Sequence, residues 1–115
     1  MASVLRGEIR WAEFDPARGN KQPGTRPVLV ISHDVFNERS GTVLAMAITS
    51  QPQRAGFALT LPLGRLGGKE TWLKISQVRV LSTQRLGRKL GKVTPEQLAQ
   101  AIDGLRTLCI TPCGL

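Results

Sequence analysis

The sequence has no tyrosine, one histidine, two cysteines and only eight acidic residues in 115 positions. Both cysteines, Cys109 and Cys113, stand at the C-terminal end, and His33 is distant from them in sequence. That distribution argues against a zinc centre, whose closed form takes four such ligands. The cysteine spacing admits a disulfide, but two thiols in a cytoplasmic protein of this size read as reduced, and they are assigned no function. No stretch approaches the roughly 18 apolar residues of a membrane helix, and the opening MASVLRGEIR lacks the apolar segment of a secretory signal. The expected compartment is the cytoplasm, with no membrane partner.

Acid is scarce because base is abundant. Sixteen lysines and arginines give a net charge of +8, and mean hydropathy is -0.08, ordinary for one globular core. The charge is concentrated: between positions 65 and 92 lie Arg65, Lys69, Lys74, Arg79, Arg85, Arg88, Lys89 and Lys92 against one acid, Glu70. Such a window favours a polyanion through steering and counterion release. A membrane surface is a poorer match, since the window contains no long amphipathic helix with a basic face.

Strand signals fall at 8–14, 28–32, 42–49, 57–62, 71–76 and 77–81. The runs Val28–Ile31 and Val43–Ile48 are continuously apolar, as in the most buried strands, while Phe57, Leu59 and Leu61 alternate with Ala58 and Thr60 as a half-buried strand does. The last third changes period. Thr94-Pro95-Glu96-Gln97 is an N-cap, a proline in the first turn and a capping-box glutamine, followed by Leu98, Ala101, Ile102, Leu105 and Leu108 at helical spacing. A shorter helix is expected after Ser32, with Asp34 near its start, Val35 and Phe36 tucked into the core, and Gly41 at its end. Six short strands and a terminal helix predict one α+β domain over residues 1–115, a small, partly open barrel of mainly antiparallel strands.

The most informative segment is RGNKQPGTRPVLVIS at 18–32, a glycine-studded cationic loop that passes Arg26-Pro27 and becomes an apolar strand. Glycine and proline bend the loop and the strand anchors its end, so a guanidinium at Arg26 has a rigid root suited to a phosphate. The run G-x-x-Q-x-G-x-R-P (Gly19, Gln22, Gly24, Arg26, Pro27) is followed one strand later by Ile48-Thr49-Ser50. In that order and spacing, with RGEIRWAEFDPARGNKQPGTRPVLVIS at 6–32, FN at 36–37, GTVLAMAITSQ at 41–51, SQVRVLSTQRLGRKLGKV at 76–93 and TPEQLAQAIDGL at 94–105, the chain resembles the MazF/PemK (Kid) family of toxin endoribonucleases.

The resemblance implies an SH3-like barrel with added helices and a homodimer that cleaves single-stranded RNA at short sequences, with no metal or other cofactor, under the control of an acidic antitoxin. It implies attack by the 2′-hydroxyl on the neighbouring phosphorus, departure of the 5′-oxygen and a 2′,3′-cyclic phosphate product. Arg26 matches the family's catalytic arginine and Thr49 its catalytic threonine, a fork for non-bridging oxygens and a hydroxyl donor to the same phosphate. Lys21, Gln22, Gly24 and Gln77 fall at positions placed near the RNA, Gln77 with an amide able to read a base edge. Arg79, Arg85, Arg88 and Lys89 are candidate phosphate contacts. Trp11 and Trp72 read as core or dimer packing, with base stacking as the alternative.

The chain departs from the family in three places. Lys21 stands where many members have glutamate, so the usual proton acceptor is missing; Thr25 stands where some have histidine; and Ser76 replaces a common aspartate. His33 is not taken as the base, because it lies at the far end of the strand that Arg26 begins, roughly 20 Å away at strand rise. Two other functions remain open: a non-catalytic binding protein on the same barrel, such as a CcdB-like gyrase poison or a lapsed nuclease, and a nucleic-acid chaperone. Both predict no cleavage of RNA, and the poison has no need of a phosphate clamp.

Overall fold

The computed structural model describes residues 3–13, 24–52 and 59–109. Its elements are β1 (Glu8–Glu13), β2 (Thr25–Val30), α1 (Asp34–Ser40), β3 (Thr42–Thr49), β4 (Thr60–Leu66), β5 (Lys69–Ser82), β6 (Leu86–Lys92) and α2 (Pro95–Cys109), with a 3-10 turn at Thr83–Arg85. The strands form one antiparallel sheet in the order β4-β5-β3-β2-β1-β6. The sheet curls until its outer strands approach: a Cβ built on Gly91 of β6 would lie 3.8 Å from Leu66 Cδ1 of β4. Among the described residues no hydrogen-bonded ladder joins those two strands. The result is the expected partly open antiparallel barrel, with α2 packed against β4 and β5. No helix among the described residues is long and apolar enough to cross a membrane.

The two continuous apolar runs pair with each other, Val28 with Ala47, Leu29 with Met46 and Val30 with Ala45. They are buried on both faces. Leu29, Ile31, Met46 and Ile48 join Ile9, Leu73, Ile75 and Ala101 on the side covered by α2, whereas Val28, Val30, Val43 and Ala45 join Ala12 and Leu81 on the other. The capping box at the head of α2 forms as read, Thr94 N–H donating to Gln97 Oε1 at 3.0 Å and Gln97 N–H to Thr94 Oγ1 at 3.1 Å.

Several expectations are corrected. The segments 71–76 and 77–81 are one 14-residue strand, β5, interrupted by a bulge: Met46 pairs with Val78 but the next residue, Ala47, pairs with Lys74, which leaves Ile75, Ser76 and Gln77 without opposite numbers on β3. The strand expected at 57–62 begins at Thr60 and runs to Leu66; Phe57 and Ala58 lie outside the described residues. β6 was not expected, its glycines and cations masking a strand whose pairing with β1 is broken by two irregularities.

α1 forms where expected, capped by His33 and ended by Gly41, but it faces the other way. Val35 and Phe36 are half exposed, at 50% and 51%, and Asn37 is the buried residue. The reason is hydrogen bonding. Asn37 Nδ2 donates to Val4 O at 2.9 Å and to Ser32 O at 3.2 Å, its Oδ1 accepts from the Ser32 hydroxyl, and Ser32 Oγ accepts from Leu44 N–H at 2.9 Å. One amide thereby ties the N-terminal segment, α1 and β3 together.

Candidate active site at the parting of β2 and β3

Val28↔Ala47 is the last pair of the β2–β3 ladder at that end, although β2 begins earlier, at Thr25, and β3 continues to Thr49. Beyond that pair each strand stays with its other neighbour, Arg26 opposite Ala12 of β1 and Thr49 opposite Trp72 of β5. The two strands fork, and a cleft of about 700 Å³ opens in the fork, lined by both Arg26 and Thr49. Strand alternation puts Arg26 on the face of Val28 and Thr49 on the face of Ala47, so the two belong to one side of the sheet.

Arg26 is exposed and Thr49 half-buried. The Thr49 hydroxyl oxygen accepts from Gln51 N–H at 3.1 Å, the turn-capping bond common to a serine or threonine at a strand end. That contact occupies the oxygen and leaves the O–H proton available to donate. The turn role and the donor role are therefore compatible in one side chain.

The rest of the lining draws on all six strands, including Leu66 of β4 and Leu90 of β6. Trp11 and Pro27 lie on β1 and β2, and Thr71, Lys74 and Gln77 on β5. Gly67 comes from the β4–β5 turn and Lys69 opens β5 directly after it; in the turn Gly67 and Gly68 take φ of 62° and 84°, the left-handed values that a two-residue hairpin turn requires and that side chains resist. Gln77 reaches the cleft because the β5 bulge takes it out of the regular ladder. Arg26, Lys69 and Lys74 are the charged side chains of the lining, and among the described residues no carboxylate joins them.

The other candidates from the sequence are dispersed. Gly24 lies beside the arginine, a Cβ built there being 3.7 Å from Arg26 Nε. Lys21 and Gln22 lie outside the described residues. Arg79, Arg85 and Arg88 do not line the cleft. Lys89 is engaged elsewhere: its Nζ is 3.7 Å from Glu8 Oε2, and Glu8 Oε1, buried, also accepts from Leu5 N–H at 3.0 Å and Arg10 Nε at 2.8 Å. Burial alone would raise the Glu8 pKa, but the Leu5 and Arg10 hydrogen bonds and the charges of Arg10 and Lys89 outweigh it and hold the carboxyl below its usual value. His33 Nδ1 accepts from Val35 N–H at 3.1 Å and serves as the α1 cap. Among the described residues no three His, Cys, Asp or Glu side chains cluster in a way that could hold a metal.

Residues 5–109 match the family of PemK-like, MazF-like toxins of type II toxin-antitoxin systems. The chain belongs to that family. It is 32% identical over 106 residues to the endoribonuclease EndoA of Bacillus subtilis (strain 168), covering 90% of this chain and 91% of that one. Among solved structures it is similar to a MazE–MazF complex of Deinococcus radiodurans, with a TM-score of 0.82 at 25% identity over 97% of this chain and 100% of the other. A MazF structure from the same organism gives 0.77 at 26% identity, over 95% and 98%. Membership places the protein among the endoribonuclease toxins and agrees with the half-barrel and terminal helix described above.

Sequence reading did not single out Lys69 or Lys74 from the basic window, and it set Trp11 aside for packing. The position of Lys74 between Leu73 and Ile75 carries a signal, since alternation turns it away from their buried face. Nothing in the sequence shows that this opposite face opens into the fork.

Proposed function

We propose that the protein is a metal-independent, sequence-selective endoribonuclease that cuts single-stranded RNA by internal transfer. The 2′-hydroxyl attacks the adjacent phosphorus as its proton leaves, the bond to O5′ breaks, and O5′ takes up a proton. The products are a 2′,3′-cyclic phosphate and a 5′-hydroxyl. Negative charge builds on the non-bridging oxygens during attack, so donors that hold those oxygens more tightly in the transition state lower the barrier.

One observation carries this reading: the fork sets the Arg26 guanidinium and the Thr49 hydroxyl on the two sides of one cleft that no carboxylate lines among the described residues. Arg26 can present paired N–H donors to two phosphoryl oxygens, and Thr49 adds a neutral donor. Gln77, with donor and acceptor on one amide, is suited to a base edge beside that phosphate. Lys21 and Gln22, shortly before Gly24 in the sequence, complete the proposed RNA contacts, and Arg79, Arg85 and Arg88 outside the cleft are assigned to more distant phosphates. Charge stabilisation is what the described lining supplies; among those residues neither a carboxylate nor an imidazole is present to take the 2′-hydroxyl proton.

In this reading the toxin acts in the cytoplasm as a homodimer and is silenced by an acidic antitoxin segment over the basic cleft. The solved complex of MazE with MazF from Deinococcus radiodurans supports the antitoxin, and the solvent-exposed apolar side chains Leu5, Val35, Phe36 and Val80 supply surface of the kind a second copy would cover. The test is incubation of purified protein with mixed-sequence single-stranded RNA and a chelator, followed by analysis of the new ends. Cyclic 2′,3′-phosphate ends at a restricted set of sequences support the proposal. Intact RNA, or 3′-hydroxyl ends, would sink it.

A further inference from the structure

The site as assigned leaves two cleft cations, Lys69 and Lys74, without a role, and Lys74 is the one set in the sheet beside Thr49. Lys74 pairs with Ala47, and Ala47 pairs with Val28, so Lys74 stands in the row of the sheet immediately inside the fork. It shares the face of Thr49, two residues beyond Trp72, the partner of Thr49 on β5. Diagonal neighbours of this kind are roughly 7–8 Å apart. The floor between them is Ala47, whose side chain is too short to fill the cleft, and Lys74 lines that cleft together with Arg26 and Thr49.

Three further facts favour an anion at this spot. Lys74 is half-buried in the middle of a sheet, where a lysine stem packs along apolar surface and delivers its head to one place. Among the described residues no carboxylate shares the cleft with it. The β5 bulge begins directly after it, so that Lys74 and Gln77 enter the same cavity from either side of Ile75 and Ser76.

We propose that Lys74 forms a second phosphate subsite: it binds the phosphodiester next to the scissile one and fixes the direction of the RNA strand across the sheet, from the fork toward the Ala47–Lys74 row. The offset of two residues along β5, ~7 Å at strand rise, is comparable to one backbone step of an extended single strand. Arg26 and Thr49 act on the phosphate that reacts, and Lys74 holds its neighbour. This inference rests on the nuclease reading for the identity of the strand, but the phosphate contact itself can be measured without cleavage.

The experiment uses the full chain and a random-sequence single strand that is 2′-deoxy throughout, so that no 2′-hydroxyl is present to react. Affinity is measured against salt for wild type, Lys74→Gln, Lys74→Met, Lys74→Arg and, as a control for net charge, Arg39→Gln at the far end of α1. Loss of one contact should weaken binding several-fold and reduce the slope of log K against log salt by about 0.7, the single-strand value per phosphate. The Gln and Met variants should show that reduction, Lys74→Arg should restore the slope, and Arg39→Gln should leave it unchanged. With RNA, Lys74→Gln should raise KM and leave kcat within about twofold, as expected for uniform binding. An unchanged slope in the Gln and Met variants, or an equal fall in Arg39→Gln, would overturn the subsite. A wild type that binds the deoxy strand through Lys74 but leaves RNA intact would overturn the nuclease reading alone, and a wild type that binds no strand would overturn both.

Discussion

Val28 and Ala47 are the last paired residues of β2 and β3 before the strands part, and the cleft of the protein is the space that their parting creates. Ordinary sheet pairing thus makes the site. Each wall stays rigid because it is still bonded to a neighbour, β1 behind Arg26 and β5 behind Thr49. A donor on a paired strand is held in place before substrate arrives, which is what electrostatic stabilisation of a developing charge requires.

Close packing of α2 against β5 depends on Gly104. A Cβ at that position would lie 2.5 Å from Ile75 Cδ1 and 3.4 Å from Ile75 Cγ2, and Ile75 is buried. Gly104→Val should destabilise the fold by about 1–3 kcal/mol through overpacking, measured as a lower urea midpoint. A midpoint equal to wild type would mean that α2 does not pack on Ile75 as described.

Acid should find the Glu8 cluster. A carboxyl with a folded pKa below its unfolded value adds stability that is complete above the unfolded value, 4.5 for glutamate, and is lost as the pH falls through the folded value. Glu8→Gln should remove that part of the acid slope and cost about 1–3 kcal/mol at neutral pH, where the Leu5 N–H, Arg10 and Lys89 lose an ionised acceptor. Urea titrations at a series of pH values check both effects, and parallel curves for wild type and variant would contradict them.

His33 is expected to matter for the fold and not for catalysis. Its Nδ1 caps α1 through Val35 N–H, and it does not line the cleft. His33→Ala should lower stability by about 1 kcal/mol and leave the RNA cleavage rate within about twofold. A rate loss as large as that of an Arg26 variant would make His33 part of the machinery.

How far these features were legible in the sequence depends on how local their causes are. The buried pair β2 and β3 shows in two continuous apolar runs, and the start of α2 in Thr94 and Gln97, because each rests on neighbouring residues. β5 read as two strands because its bulge interrupts alternation at Ile75–Gln77, a feature produced by the partner strand. Val35 and Phe36 read as core on hydrophobicity alone, and lost that place to Asn37, whose partners Val4 and Ser32 come from separate segments. Arg26 and Thr49 stood out through their resemblance to a family motif; Lys74 had no motif, and its place in the cleft follows only from its pairing with Ala47. Among the described residues the cleft is lined by cations and by no carboxylate, so the cationic clamp, and not a carboxylate base, is the part of the mechanism that it supports.

The most direct test of that clamp is the single-turnover cleavage rate of single-stranded RNA by Arg26→Ala and Thr49→Val beside wild type, with the unfolding midpoint of each recorded. Neither side chain is among the buried core residues, so stability should change little, while removal of a transition-state donor should lower the rate on the order of 10²–10³-fold for Arg26→Ala and by a smaller factor for Thr49→Val. An Arg26→Ala protein that folds normally and cleaves at the wild-type rate would contradict the account.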